Sequence, residues 1–276
     1  MPTVLVTGAG RGIGSAIAAH LASRGWEVIA GVRNEQDVPR LTAAGLTPVI
    51  LDVTNADHIA ALNDSLPDRL DAVVNNAGVV VGGPMEVVAP QELRRQLEIN
   101  VVGQIAVTQA VLPRLRESSG RVVFISSVNG KVSFPMFGPY CGSKFALEAV
   151  ADALRMELLP WNIAVVIVEP AQTDTDMWRS ADTVADETAA AMPLQAQELY
   201  QRHLAGLKKS IPKSQKLAVP AKTVAAVVET ALTARRPRQR YIVGILPKAQ
   251  LALINRLPSR ARDRLLRALG NQPGRP

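Results

Sequence analysis

The chain opens with a β-branched, apolar run, Thr3-Val4-Leu5-Val6-Thr7, that stops at Gly8 and passes through Gly12 and Gly14 into a helical pattern beginning at Ser15. A run this short and apolar, bounded by glycine, reads as a buried strand. The glycines let the turn close tightly, let backbone amides approach a ligand, and let the following helix pack against its strand. Free N–H groups at the helix start then face an anion such as a pyrophosphate. Strand, glycine turn and helix in this order place a dinucleotide-binding unit at the N-terminus.

Further strand-like runs at 27–32, 47–51, 71–75, 121–126, 163–169 and 240–243 alternate with helical stretches. That alternation predicts an α/β fold, a doubly wound parallel sheet of about seven strands with helices on both faces and ligands bound beyond the strand C-termini. A chain of 276 residues, 47% of them hydrophobic, buries a substantial core, and one domain over 1–245 with an extension over 246–276 is expected. No apolar tract reaches the roughly 18 residues of a membrane span, and the N-terminus reads as a strand rather than a signal peptide, so a cytoplasmic location is expected. The single cysteine, Cys141, excludes an intrachain disulfide and reads as packing.

Tyr140 and Lys144 stand four apart on what reads as one helix. They share a helix face, so the ammonium can favour the phenolate and bring a phenol of pKa roughly 10 toward use as a proton carrier. The spacing alone recurs by chance in many helices, and its weight comes from the motifs around it.

Those motifs follow in order: Thr7-Gly8-x-x-x-Gly12-x-Gly14, Asn75-Asn76-Ala77-Gly78 after a strand, Asn100 within a long helix, Ser126-Ser127 at a strand end, Tyr140-x-x-x-Lys144, and a stretch from Pro170 to Thr175. Over about residues 3–178 the chain resembles the short-chain dehydrogenase/reductase family in its compact branch, a single-domain Rossmann fold. One departure is Ala171, where the family usually has glycine after the proline.

The resemblance implies a nicotinamide-dependent oxidoreductase interconverting an alcohol and a ketone or aldehyde. Tyr140 would be the acid/base. Lys144 would lower its pKa and hold the nicotinamide ribose, and Asn100 would hold a water linking Lys144 to solvent. Ser127 would orient the substrate oxygen, with Ser126 as a rival that the spacing to Tyr140 disfavours. Thr7, Gly8, Gly12, Ile13 and Gly14 would cradle the pyrophosphate, Asp52 and Val53 would flank the adenine, and Asn76, Ala77 and Gly78 would line the opposite side. Pro170, Thr173 and Thr175 would meet the nicotinamide, Thr175 through its carboxamide, although a helix cap also explains a threonine there. No metal is expected.

The second strand ends in Val32-Arg33 rather than in the carboxylate that grips a free ribose, and Arg11 lies inside the glycine turn. Two guanidinium groups suit a 2′-phosphate, so NADP(H) is expected over NAD(H), the bland alternative for Arg33 being a solvated loop charge.

Residues 172–219 fall where the family keeps a substrate lid, with helices expected at 181–192 and 194–207. Phe134, Met136 and Phe137 add apolar surface before Tyr140, and the stretch 139–159 is most similar to hydroxysteroid and retinol dehydrogenases. A bulky apolar alcohol or carbonyl compound is the implied substrate. By resemblance, the helices near 91–116 and 139–159 are homodimer or homotetramer faces. A nucleotide sensor without turnover and a nicotinamide-dependent epimerase or dehydratase are the alternatives, the latter usually needing a larger substrate domain.

Residues 235–276 carry eleven Lys and Arg against one Asp, so the net +7 of the chain arises there. Two amphipathic helices divided at Pro258 are expected. Their basic face is either solvated, with the apolar side packed on the body or a partner subunit, or adsorbed on an anionic membrane as a peripheral contact. Nucleic acid is not an expected partner, since aromatic interleaving and a reading motif are both missing.

Overall fold

The structure, a computed structural model, describes residues 1–175, 179 and 181–274. Its first half runs β1 (Thr3–Thr7), α1 (Gly12–Ser23), β2 (Glu27–Val32), α2 (Val38–Ala43), β3 (Thr47–Ile50), α3 (Ala56–Ala60), α4 (Leu62–Ser65), β4 (Ala72–Asn75) and α5 (Pro90–Leu97). There follow α6 (Gly103–Ser118), β5 (Arg121–Ile125), α7 (Gly138–Glu157), β6 (Ala164–Glu169) and a two-residue strand β7 (Thr173–Asp174). The remainder comprises α8 (Ala181–Ala190), α9 (Leu194–Lys216), β8 (Val219–Pro220), α10 (Ala221–Thr233), β9 (Arg240–Ile242), α11 (Ile245–Ile254) and α12 (Ser259–Leu269).

Seven parallel strands form the main sheet in the order β3-β2-β1-β4-β5-β6-β9. The chain winds outward from β1 in both directions, so a crevice opens above the C-terminal ends of β1 and β4. Helices cover both faces, and the middles of the inner strands are apolar and buried because neither face meets water there, while the edge strands β3 and β9 are partly exposed. Alternation within each strand divides the core: Val4, Val6 and Val28 pack with Ile17, Leu21 and Val228. Leu5, Ile29 and Val73 point the other way onto Val107, Val111 and Leu147. Each such fully buried side chain contributes roughly 1.5–3 kcal/mol. The expected strands all form, ending within a residue or so of the expected positions.

Two helices differ from expectation. The long helix holding Asn100 is interrupted by a π turn, Glu98–Val102, between α5 and α6. Helix α9 continues past 207 to Lys216, with Pro212 inside it removing one N–H from the ladder. Segment 172–219 is pinned at its base, since β7 pairs with β8 and the Val219 N–H donates to the Gln172 carbonyl at 2.9 Å.

The C-terminal helices form on either side of Pro258, and Leu251, Ile254 and Leu266 make a buried cluster with Val132, against which Val128 and Phe134 also pack. Gln272 beyond them donates to the carbonyl of His203 on α9 at 3.2 Å. The apolar side of the basic tail thus rests on the loop after β5 and its end reaches the 172–219 segment. Among the described residues, no helix is long and apolar enough to cross a membrane.

Candidate active site

The glycine turn is shaped by close approach. Gly8 and Gly12 adopt φ of +66° and +59°, which side-chain-bearing residues rarely take. A Cβ on Gly14 would lie 2.2 Å from the Gly8 carbonyl oxygen and 2.5 Å from Asn76 Nδ2. Helix α1 starts at Gly12 with Arg11 as its N-cap and no side-chain cap, so the first amides, including that of Ile13, are available to an anion. A Cβ on Gly12 would meet Thr175 Cγ2 at 3.5 Å, so the glycine turn closes against Thr175. These uncapped amides and the Cβ-free cradle fit a pyrophosphate.

Thr7 and Asn76 build this cradle rather than face into it. The buried Thr7 hydroxyl accepts from the amides of Asn76 at 2.9 Å and Ala77 at 3.0 Å. Asn76 Nδ2 donates to the carbonyls of Thr7 at 3.0 Å and Gly8 at 3.3 Å, lacing β1 to β4. Gly78 is exposed, and a Cβ there would lie 3.3 Å from Asn100 Oδ1.

Arg11 and Arg33 are both exposed, Arg11 in the glycine turn and Arg33 just after β2. Asp52 accepts through Oδ1 from the amide and hydroxyl of Thr54 at 2.9 and 2.7 Å. Partial burial raises the Asp52 carboxyl, but those hydrogen bonds and the Arg33 and His58 charges outweigh it and hold the group below its usual range. Val53 is buried under α6, where a Cβ on Gly103 would reach its carbonyl at 2.5 Å. A further cation escaped the sequence reading: Arg40 Nη2 donates to the Gly10 carbonyl at 2.6 Å and to Asp37 Oδ1 at 2.6 Å. The i,i+3 spacing of Asp37 and Arg40 was its only local signal.

Ser127, Tyr140 and Lys144 converge above β5. The Ser127 hydroxyl donates to the Pro170 carbonyl at 3.3 Å and accepts from the Asn129 amide at 3.1 Å. Ser126, its rival, is buried with its Oγ unpartnered. Burial pushes the Tyr140 phenol up to about 12, against the opposing pull of its hydrogen bond with Ser127. Burial also brings the Lys144 ammonium down to about 8, opposed by the charge of Glu148. The ammonium sits 5.8 Å from the Tyr140 ring centroid and donates to the Ile125 carbonyl at 2.7 Å. Desolvation is the largest influence on the phenol, ahead of the lowering effect of Ser127.

Asn100 is fully buried in the π turn, and its amide nitrogen also reaches Ser143 Oγ at 3.1 Å. Ser143 in turn donates to the Tyr140 carbonyl at 2.7 Å. Single π turns inside α-helices often mark functional sites. Thr173 and Thr175 hydroxyls bond locally, to the carbonyls of Ala171 at 3.1 Å and Thr173 at 3.4 Å. Among the described residues, the non-glycine positions with positive φ are Ser119, Met136, Asn162 and Asn271, so Ala171 replaces the family glycine without left-handed backbone. Cys141 is buried and burial pushes its thiol up, in keeping with packing. Phe134 joins the tail cluster, Met136 is buried, and Phe137 is half-buried at the start of α7. Among the described residues no group of His, Cys, Asp and Glu could hold a metal ion.

A doubly wound sheet, a glycine turn at the end of its first strand and a cluster of Ser127, Tyr140 and Lys144 above β5 define an oxidoreductase of the Rossmann type. The chain belongs to the short-chain dehydrogenase family, whose model matches residues 2–185. It is 32% identical over 281 residues to the NADPH-dependent 3-dehydrocapnine reductase of Ornithobacterium rhinotracheale, covering 96% of each chain. It is 34% identical over 280 residues to retinol dehydrogenase 16 of Mus musculus, covering 95% of this chain and 87% of that protein. A solved short-chain dehydrogenase from Streptomyces avermitilis superimposes with a TM-score of 0.75 at 28% identity, covering 96% of this chain and 94% of that one.

Proposed function

We propose that the protein is an NADP(H)-dependent oxidoreductase that interconverts an alcohol and a ketone or aldehyde on a bulky apolar substrate, with Tyr140 as acid/base. The observation that carries this reading is the convergence of Ser127, Tyr140 and the buried Lys144 ammonium, which lies 5.8 Å from the Tyr140 ring centroid and is held on the Ile125 carbonyl at the end of β5. The nicotinamide supplies or accepts the hydride when bound. In reduction the Tyr140 hydroxyl gives its proton to the substrate oxygen, and in oxidation the phenolate takes the alcohol proton. Ser127 donates to the same oxygen and orients it. Lys144 holds the ribose. The Asn100 amide nitrogen is already engaged, which leaves the second lone pair of Oδ1 or the main chain of the π turn for any water it holds.

Arg11 and Arg33, both exposed, support selection of the 2′-phosphate, and the NADPH dependence in the reductase relative's name agrees. Gly8, Gly12, Ile13 and Gly14 hold the pyrophosphate in a turn that Thr7 and Asn76 brace; Asp52, Val53, Ala77 and Gly78 hold the adenosine half; Pro170, Thr173 and Thr175 the nicotinamide half. Residues 1–245 form the catalytic body, 172–219 its lid and 246–276 the extension.

A groove lined by Ile105, Leu112, Val150 and Leu154 between α6 and α7, with Phe145 and Met156 exposed nearby, supports pairing with a second copy. On the outward face of α11, exposed Ile245, Leu246 and Leu253 stand beside Lys248 and Arg256, which supports peripheral contact with an anionic membrane.

The test is NADPH and NADH oxidation against a panel of ketones and aldehydes of increasing apolar bulk. Turnover with NADPH on the bulkier members is expected. Nucleotide binding without consumption on any carbonyl would favour a sensor.

A further inference from the structure

Tyr140, Lys144 and Glu148 occupy i, i+4 and i+8 of α7, one face of one helix, and Glu148 is only 4% exposed. Its Oε2 meets Lys131 Nζ at 3.0 Å and Arg240 Nε at 3.0 Å. Beside it lies Glu169, 1% exposed at the end of β6 and 3.4 Å from Arg240 Nε. Arg240, from β9, also reaches Asp152 Oδ2 at 2.6 Å, one turn further along α7. Lys131 belongs to the loop that carries Ser127. That loop presses on the helix: a Cβ on Gly130 would come within 2.9 Å of Glu148 Cγ, 3.0 Å of Ser126 Oγ and 3.2 Å of the Lys144 carbonyl oxygen.

Two carboxylates this deep are costly unless something is gained by holding them. We propose that Glu148 is a positioning residue for the reaction above, fixing the Ser127 loop through Lys131 against the helix of Tyr140 and Lys144 and setting the electrostatic field at the Lys144 ammonium. The inference rests on the oxidoreductase reading. Lys144 has Tyr140 and Glu148 on its own helix face, and the charged groups around Glu148 are Lys131 on the loop, Glu169 on β6 and Arg240 on β9, which also holds Asp152. Burial pushes Glu169 up, with the Glu148 charge adding to it, so Glu148 is the carboxylate left to offset the desolvated ammonium.

The experiment compares pH profiles of kcat/KM and of NADPH affinity for the wild type, Glu148→Gln and Lys131→Gln. Removing the carboxylate lets Lys144 lose its proton at lower pH, and the alkaline limb near 8 moves down by about one unit. Removing the Lys131 cation moves the same limb up. A purely structural role lowers both rates at every pH and leaves the limb in place, and that result, or shifts of the same sign in both variants, overturns the proposal. If Glu148→Gln does not fold, Lys131→Gln decides: an upward shift supports the proposal, an unmoved or lowered limb refutes it. Wild-type protein that binds NADPH but turns over no carbonyl sinks the oxidoreductase reading alone, and the binding profile still decides the role of Glu148. Failure to bind NADPH removes both.

Discussion

Asn100 grips Val79 on both sides of its main chain, accepting from the Val79 N–H through Oδ1 at 2.9 Å and donating to the Val79 carbonyl through Nδ2 at 3.0 Å. The π turn aims the side chain at the segment after β4, and the clasp joins the cofactor wall to the catalytic helix through Ser143. Asn100→Ala leaves the Val79 N–H without a partner, while the Val79 carbonyl keeps Gln96 Nε2 as a donor at 2.8 Å. Such a lost partner costs about 1–3 kcal/mol, so a loss of that size in denaturant-unfolding stability is expected, together with reduced activity.

Tyr140→Phe keeps the ring and removes the proton. Turnover should fall by more than about a hundredfold while NADPH affinity, measured by nucleotide fluorescence, stays near that of the wild type. Retained turnover would exclude Tyr140 as the acid.

For the wild type, the carbonyl-reduction rate should fall as pH rises through about 8. The phenol, raised to about 12, remains protonated there, while the Lys144 ammonium, lowered to about 8, is lost. Stability has the opposite sign for Lys144: its folded pKa lies below its ordinary 10.5, so the unfolded chain binds more protons between those values and this group's contribution to stability rises with pH. A stopped-flow pH series with thermal melts in the same buffers checks both signs.

Arg33→Asp places a carboxylate where a 2′-phosphate is expected. A charge-assisted contact of about 1.5–3 kcal/mol is lost, so the NADPH-over-NADH ratio of kcat/KM should fall by roughly ten- to a hundredfold. An unchanged ratio would assign Arg33 to solvent.

Two glycines should respond oppositely to alanine. At Gly14 the new methyl meets the Gly8 carbonyl and Asn76, groups that are held by the turn, so nucleotide binding should be lost. At Gly142, exposed on α7 with nothing within 4 Å of an added Cβ, alanine should stabilise by about 0.5–1 kcal/mol, read as a melting temperature raised by a few degrees.

Much of this protein was legible in the sequence because its signals are local. Strands buried on both faces read as apolar runs such as Val4-Leu5-Val6, the cradle as glycines that a Cβ would block, and the Tyr140–Lys144 pair as one helix face. The tail helices were legible as amphipathic segments divided at Pro258. Which surface covers them was not, since Val132 and Leu266 are far apart in the chain and meet only when the fold is complete. The same holds for the clasp of Asn100 on Val79, the hold of Arg40 on Gly10, and the ion cluster of Lys131, Glu148, Glu169 and Arg240. Sequence spacing governs what neighbours on one helix or strand can do. Desolvation and long-range pairing decide the pKa of Tyr140 and the partners of Glu148, and these depend on crossovers that bring β5, α7, β6 and β9 to one edge of the sheet.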